Sequence, residues 1–359
     1  MNREKNVIFK PGVRESLMRK WRISRESKIN IALFIVLIIL IFISLIIGKY
    51  PIEPLMLFKS IFATVFTTEL NIPEEIYTVI FNIRLPRIFA GVLIGAALST
   101  AGAAYQGMFK NPMVSPDILG ASSGAAFGAA TGILFSFSVV GIQIISFLFG
   151  IIAVVITYII SEKVCRSGDS TLTLILSGML ISTLFSSFVS LIKYVGDSYN
   201  KLPDITFWLM GSLSAINKKD LYIISLPIII GIAVIIFVRW KLNIMAFGEE
   251  EALAMGVNTK RLRVIVIMAS TLIISSSVSI SGLIGWVGLI IPHFARILVG
   301  PNYKHLIPTS ILAGSSYLIL VDNMARNLGF GEIPIGILTS IIGAPFFVYL
   351  MMNIKRGWV

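Results

Sequence analysis

The chain is written in long apolar runs separated by short polar ones, and the length of those runs decides the fold class. A helix that crosses a bilayer needs roughly twenty mostly apolar residues, because each adds about 1.5 Å against a hydrocarbon core of about 30 Å. Ten runs approach or reach that length, near residues 29–48, 83–105, 117–135, 139–161, 171–193, 220–239, 261–281, 283–299, 307–326 and 333–353. The pattern predicts an all-α integral membrane protein of about ten transmembrane helices, with one polytopic domain over 29–353. A basic segment, 1–28, precedes it, and a short tail, 354–359, follows. The third run is rich in glycine, and the eighth follows the seventh almost without a break at Ser281-Gly282. The first run is apolar from Ile31 to Ile47 except for Ser44 and ends without an Ala-x-Ala site, which predicts a retained span rather than a signal peptide.

Charge sets the orientation. With the N-terminus inside, 21 of the 30 Lys and Arg fall on inner segments, so the positive-inside rule puts both termini in the cytoplasm. The net charge of +12 is spread over short loops between apolar runs. Nucleic-acid binders instead gather Lys and Arg on one solvated face, so no nucleic-acid partner is expected. Composition agrees, with 56% hydrophobic residues and only 13% charged, against about a quarter charged in soluble domains. Two outer segments are long enough for structure of their own. Residues 50–77 contain Pro51, Pro54 and Pro73, and residues 194–219 contain the apolar stretch Phe207 to Gly211. That stretch reads either as an interfacial helix held by Trp208 or as a re-entrant piece at a pore mouth.

Candidate chemistry narrows the function mostly by exclusion. Cys165 is the single cysteine, so no intramolecular disulfide forms, and no metal cluster or cofactor is expected. No Gly-x-x-x-x-Gly-Lys-[Ser/Thr] occurs, so the chain has no phosphate-cradling loop and no catalytic role of its own. Charges are nearly absent from the middle of the runs, and His293 and His305 sit at their inner ends. Ion-coupled secondary transporters commonly carry Asp, Glu or His at the midplane, so this absence argues against that alternative.

Glycines recur every fourth residue at Gly120, Gly124, Gly128 and Gly132, a smooth ridge that suits close helix packing. Between Gly248 and Gly256 lies a short acidic-started helix whose Phe247, Leu253 and Met255 are apolar in a cytoplasmic loop, which points to a protein partner. Arg84 and Arg87 flank Pro86 at an outer helix start, where the helix dipole disfavours cations. Helix stability does not account for them there, and an acidic partner would. Arg326 closes a helix C-terminus and has Asp322 one turn earlier to pair with.

The motifs together resemble the FecCD family of permeases, which includes ferric siderophore, haem and cobalamin import subunits. The resemblance rests on Arg84-Leu85-Pro86-Arg87, Gly95-Ala96-Ala97-Leu98, Asn111-Pro112, Pro116-Asp117-Ile118-Leu119-Gly120, Phe247-Gly248-Glu249 to Met255-Gly256-Val257, and Gly282 to His293. Glu332-Ile333-Pro334-Ile335-Gly336 and Gly343-Ala344-Pro345-Phe346-Phe347 close it, and residues 1–28 carry no family motif. The resemblance implies a permease subunit of an ATP-driven ABC importer in the cytoplasmic (inner) cell membrane. It implies a second permease copy, two cytoplasmic ATPase subunits and an extracytoplasmic substrate-binding protein. By the same resemblance, Arg84, Arg87 and Arg326 receive the binding protein. Phe247, Gly248, Glu249, Ala252, Leu253, Met255 and Gly256 engage the ATPase. The pathway is lined by Ser177, Gly178, Ser182, Ser186 and Ser187 of the fifth helix, with Gly336, Thr339, Ser340 and Gly343 of the tenth. The cargo it implies is an iron(III)-siderophore-type chelate, with cobalamin, haem or an oxyanion such as molybdate as alternatives.

Overall fold

The computed structural model describes residues 24–66, 73–164, 170–329 and 331–353. Most of the basic N-terminal segment, Cys165 and the tail 354–359 lie outside those residues. All described regular structure is helical. In chain order the helices are α1 Arg25–Ile46, α2 Pro54–Phe66, α3 Glu74–Met108, α4 Ala121–Leu134, α5 Val139–Val164, α6 Ser170–Val195 and α7 Lys201–Leu209. They continue as α8 Lys218–Met245, α9 Glu249–Ala254, α10 Thr259–Ser281, α11 Val287–Val299, α12 Tyr303–Asn327 and α13 Ile335–Asn353.

Each of the ten apolar runs forms a helix, and among the described residues eight helices are long and apolar enough to cross a membrane. The third and eighth runs fall short of a span. Helix α4 has 14 residues and α11 has 13, which is about 20 Å each against about 30 Å of hydrocarbon. Backbone geometry explains both. Gly120 takes a left-handed conformation (φ 88°) between a 3-10 turn at Pro116–Leu119 and α4, so the third run starts as a turn. Gly282 (φ 67°) ends α10, and the extended stretch to Trp286 delays α11. Helix α3 is longer than its apolar pattern, because it begins at Glu74 and passes through a π-helical segment at Thr78–Arg84.

Helix α3 is the spine, packing on α8, α10, α11 and α12 with nearly every residue from Pro86 to Met108 buried. Its small residues set the spacing. A Cβ on Gly95 would lie 2.3 Å from the Gly314 carbonyl oxygen of α12, and one on Gly102 would lie 1.8 Å from that of Gly288 on α11. Close approach also allows hydroxyls to cross between helices. Ser99 donates to the Ser310 carbonyl at 2.8 Å, and Ser315 donates to the Val92 carbonyl at 2.8 Å. The glycine ridge of α4 works in the same way: Gly124 and Gly128 face the backbone of α5 at Phe149 and Ile145. Helix α10 buries a run of serines, of which Ser276, Ser277, Ser279 and Ser281 bond back to carbonyls of their own helix, as Ser277 does to Ile273 at 2.8 Å.

Overpacking a filled interface costs about 1–3 kcal/mol, more when the neighbour is backbone. Gly102→Ala is therefore expected to lower the melting temperature of the detergent-solubilised protein clearly. Gly91→Ala, whose Cβ would meet the Leu213 side chain at an ordinary 3.5 Å, should change it little. Equal melting temperatures for the two variants would refute the backbone-contact account.

Candidate functional site

Three groups of residues singled out in the sequence occupy different parts of the bundle. The first is the arginine set. Arg84, Arg87 and Arg326 do come together, near the end of the bundle where α1 stops and α13 begins, and all three are buried. The acidic partner that the charge of Arg87 demands is inside the chain. Arg87 donates to both oxygens of Asp322 on α12 (Nε to Oδ1, 2.9 Å) and of Glu332 in the link to α13 (Nη1 to Oε1, 2.9 Å). Arg326 pairs with Asp322 at 3.2 Å, one turn away on its own helix as the spacing predicts, and donates to the Ser44 hydroxyl of α1.

Arg84 has a different purpose from the one its own helix suggests. It donates to the carbonyls of Leu45, Ile46 and Tyr50, which satisfies orphan acceptors at the C-terminus of α1, where a cation is favoured. Helix stability does explain this arginine, through a helix remote in sequence. Gly48 makes room for it, since a Cβ there would sit 2.5 Å from an Arg84 terminal nitrogen.

The second group is the short helix α9. Gly248 (φ 143°) precedes it and Gly256 (φ 80°) follows. Val257 N–H bonds the Ala252 carbonyl and Gly256 N–H bonds the Leu253 carbonyl, a Schellman closure that requires a left-handed residue at Gly256. Ala252 and Val257 anchor this turn in the core, whereas Phe247, Leu253 and Met255 are 71%, 57% and 61% exposed. Glu249 is ion-paired with Arg263 of α10.

The third group, the small polar residues of α6 and α13, divides. Ser177 and Gly178 are buried, and Gly178 lets α6 lie against the Ile118 carbonyl (2.2 Å from a Cβ placed there). Ser182 is half-buried, while Ser186 and Ser187 are exposed. On α13, Thr339 is buried, Gly343 accommodates Trp286, and Ser340 is exposed. Sequence reasoning missed that Thr183, Ser187, Ser190 and Tyr194 share one exposed face of α6, at spacings of four, three and four residues. Periodicity measured from Ser187, instead of from Ser182, would have found it. The hydroxyls of Thr183, Ser187 and Ser190 bond to carbonyls four residues back, so the face is only weakly polar.

Helix α7 is joined to this region through backbone. Ser212 N–H bonds the Ser281 carbonyl (2.8 Å), and the Gly211 and Met210 carbonyls accept from Ile335 (2.9 Å) and Gly336 (3.1 Å). Trp208 packs inward on the core. A cavity of about 430 Å³ lies at the crossing, lined by Met210, Leu283, Gly336 and Ser340 among others.

A bundle of eight spanning helices with two half-length ones, a weakly polar exposed helix face and an apolar-tipped loop helix is the architecture of a membrane permease. The chain belongs to the FecCD transport family, whose pattern it matches over residues 36–353. A molybdate import permease of Haemophilus influenzae is 42% identical, covering 92% of this chain and 97% of its own. A cobalamin import permease of Halobacterium salinarum is 38% identical, over 79% of this chain and 76% of its own. A solved ABC transporter described as of metal-chelate type, in an inward-facing conformation, superposes with a TM-score of 0.81 at 40% identity, covering 91% of this chain and 99% of that one. The protein is an ABC-import permease of the cell membrane.

Removing one partner of a buried charge pair costs about 3–5 kcal/mol, because the other charge is left in a dry site. Arg87→Met should therefore strip most of the thermal stability in detergent. Glu332→Gln should cost far less, since its side chain is 36% exposed and Arg87 keeps Asp322. A stable Arg87→Met protein would refute the structural role of this pair.

Proposed function

We propose that two copies of this chain form the membrane channel of an importer, with ATPase subunits docked on α9 and an external binding protein at the opposite end. The observation that carries the reading is the contrast within α9. Ala252 and Val257 fix the helix to the bundle, and Phe247, Leu253 and Met255 are left apolar and exposed among the described residues. A fixed helix with an apolar tip suits transmission of force from a soluble partner.

The cytoplasmic placement of α9 follows from the positive-inside orientation. The second copy covers the exposed faces of α6 and α13, and the pathway runs between the copies along Ser186, Ser187, Ser190 and Ser340. The binding protein docks over the arginine cluster. There Glu332 is the member nearest solvent, and Arg84, Arg87 and Arg326 hold the surface from beneath.

For cargo, an oxyanion of the molybdate kind ranks first. Its support is the relative that matches this chain over 97% of its own length. An iron(III)-siderophore-type chelate is the second reading, supported by the metal-chelate type of the solved neighbour. A weakly polar pathway accommodates either, and selectivity then rests with the binding protein.

Replacing Leu253 and Met255 together with Asp should abolish co-purification of the ATPase subunits while the permease still inserts and folds. Undiminished ATPase recovery would exclude α9 as the docking element. Small-molecule analysis of the purified binding protein, as bound molybdenum or bound iron, decides between the two cargoes.

A further inference from the structure

If α9 receives the ATPase, the force must still reach α6, and the helix packing joins the two only indirectly. Helix α9 packs on α8 and α10, whereas α6 packs on α4, α5, α7 and the 3-10 turn at Pro116–Leu119. Helix α10 in turn packs on α4, α5 and the 3-10 turn, so any packing route from α9 to α6 passes through intermediate elements.

One residue of α10 touches both ends directly. Arg263 stands in the first turns of α10, with only 12% of its side chain exposed. The same terminal nitrogen, Nη2, bonds Glu249 in the first turn of α9 and lies 3.4 Å from the Thr171 hydroxyl at the inner end of α6. A guanidinium is suited to this position: it is planar, permanently charged and carries several donors in a fixed fork. A lysine ammonium would carry the charge without that geometry. The carboxylate end is also well placed, because an acid in the first turn of α9 faces the positive end of that short helix.

We infer that Arg263 is a positioning residue that transmits movement of the ATPase-docking helix α9 to the pathway helix α6. This rests on the proposed importer reading. When α9 is displaced, the Glu249 carboxylate carries the guanidinium with it, and the inner end of α6 follows through Thr171. The neighbouring pair of Lys260 with Glu162 at 2.9 Å joins α10 to α5, and its side chains are 72% and 46% exposed. An exposed pair of that kind contributes little. It serves as the internal comparison.

The test reads movement of α6 without requiring the cargo. The native Cys165 is replaced with Ser, a single reporter is introduced as Ser187→Cys, and the permease is assembled with its ATPase subunits in nanodiscs. The rate of labelling by a maleimide is then measured with and without a non-hydrolysable ATP analogue. In the Arg263 parent, nucleotide should change the labelling rate about fivefold or more, the scale of ordinary site-to-site coupling. Arg263→Ala should retain the ATPase subunits, because the exposed apolar residues of α9 are untouched, yet lose the nucleotide response. Thr171→Val, a milder change that severs only the α6 arm, should lose it as well. Lys260→Ala should keep it. The reciprocal exchange Arg263→Glu with Glu249→Arg should restore part of the response over Arg263→Glu alone.

A nucleotide response that survives both Arg263→Ala and Thr171→Val overturns the proposal and leaves the importer reading intact. A parent protein that retains no ATPase, or shows no response, overturns the importer reading and the proposal with it.

Discussion

The structure depends on how closely backbones approach helix α3. In hydrocarbon there is no hydrophobic drive to bring helices together, so association rests on van der Waals contact and hydrogen bonds between surfaces that can come near enough. Gly95 and Gly102, two turns apart on one face of α3, set that distance against Gly314 and Gly288. Hydroxyl bonds from Ser99 and Ser315 then lock α3 to α12. Once these two helices are fixed, Arg87 and Asp322 are brought within 2.8 Å, and the buried charge cluster becomes affordable.

The two ends of the bundle use charge differently. In the arginine cluster, Arg87 and Asp322 are 6% and 3% exposed, and removing either partner strands a charge. At the other end, Glu249 is 46% exposed, and Lys260 and Glu162 are 72% and 46% exposed. Water can stabilise those groups when a pair opens, so rearrangement there is inexpensive. A rigid end and an adjustable end suit a protein that receives one partner on a fixed surface and responds to another by moving.

The exposed faces of α6 and α13 show how a surface can be polar without binding tightly. Thr183, Ser187, Ser190 and Ser340 each donate their hydroxyl to a carbonyl of their own helix. The oxygens remain as weak acceptors, and no fixed donor projects from these four side chains. A ligand moving along such faces would meet a mildly wet wall. The crossing of Gly211, Gly282 and Gly336, where three chain segments touch through backbone, adds a narrow place that only glycine permits.

The sequence by itself determined the fold class, the places of all ten apolar helices, the α9 turn with its exposed residues, and the pairing of Arg326 with Asp322. These are local properties: length of apolar runs, glycine at left-handed positions, and partners one helical turn apart. Tertiary structure decided the rest. The shortness of α4 and α11 comes from backbone turns at Gly120 and Gly282, which hydropathy does not register because the flanking residues stay apolar. The purpose of Arg84 could not be read from its neighbours, since the carbonyls it serves belong to the end of α1 and the turn after it, some 34 to 39 residues earlier. Of the small residues of α6, Ser186 and Ser187 are exposed whereas Ser177 and Gly178 are buried, because small residues mark both a tight packing face and a weakly polar open one. Which of the two they mark depends on the helix opposite, and that is fixed only when the chain has packed.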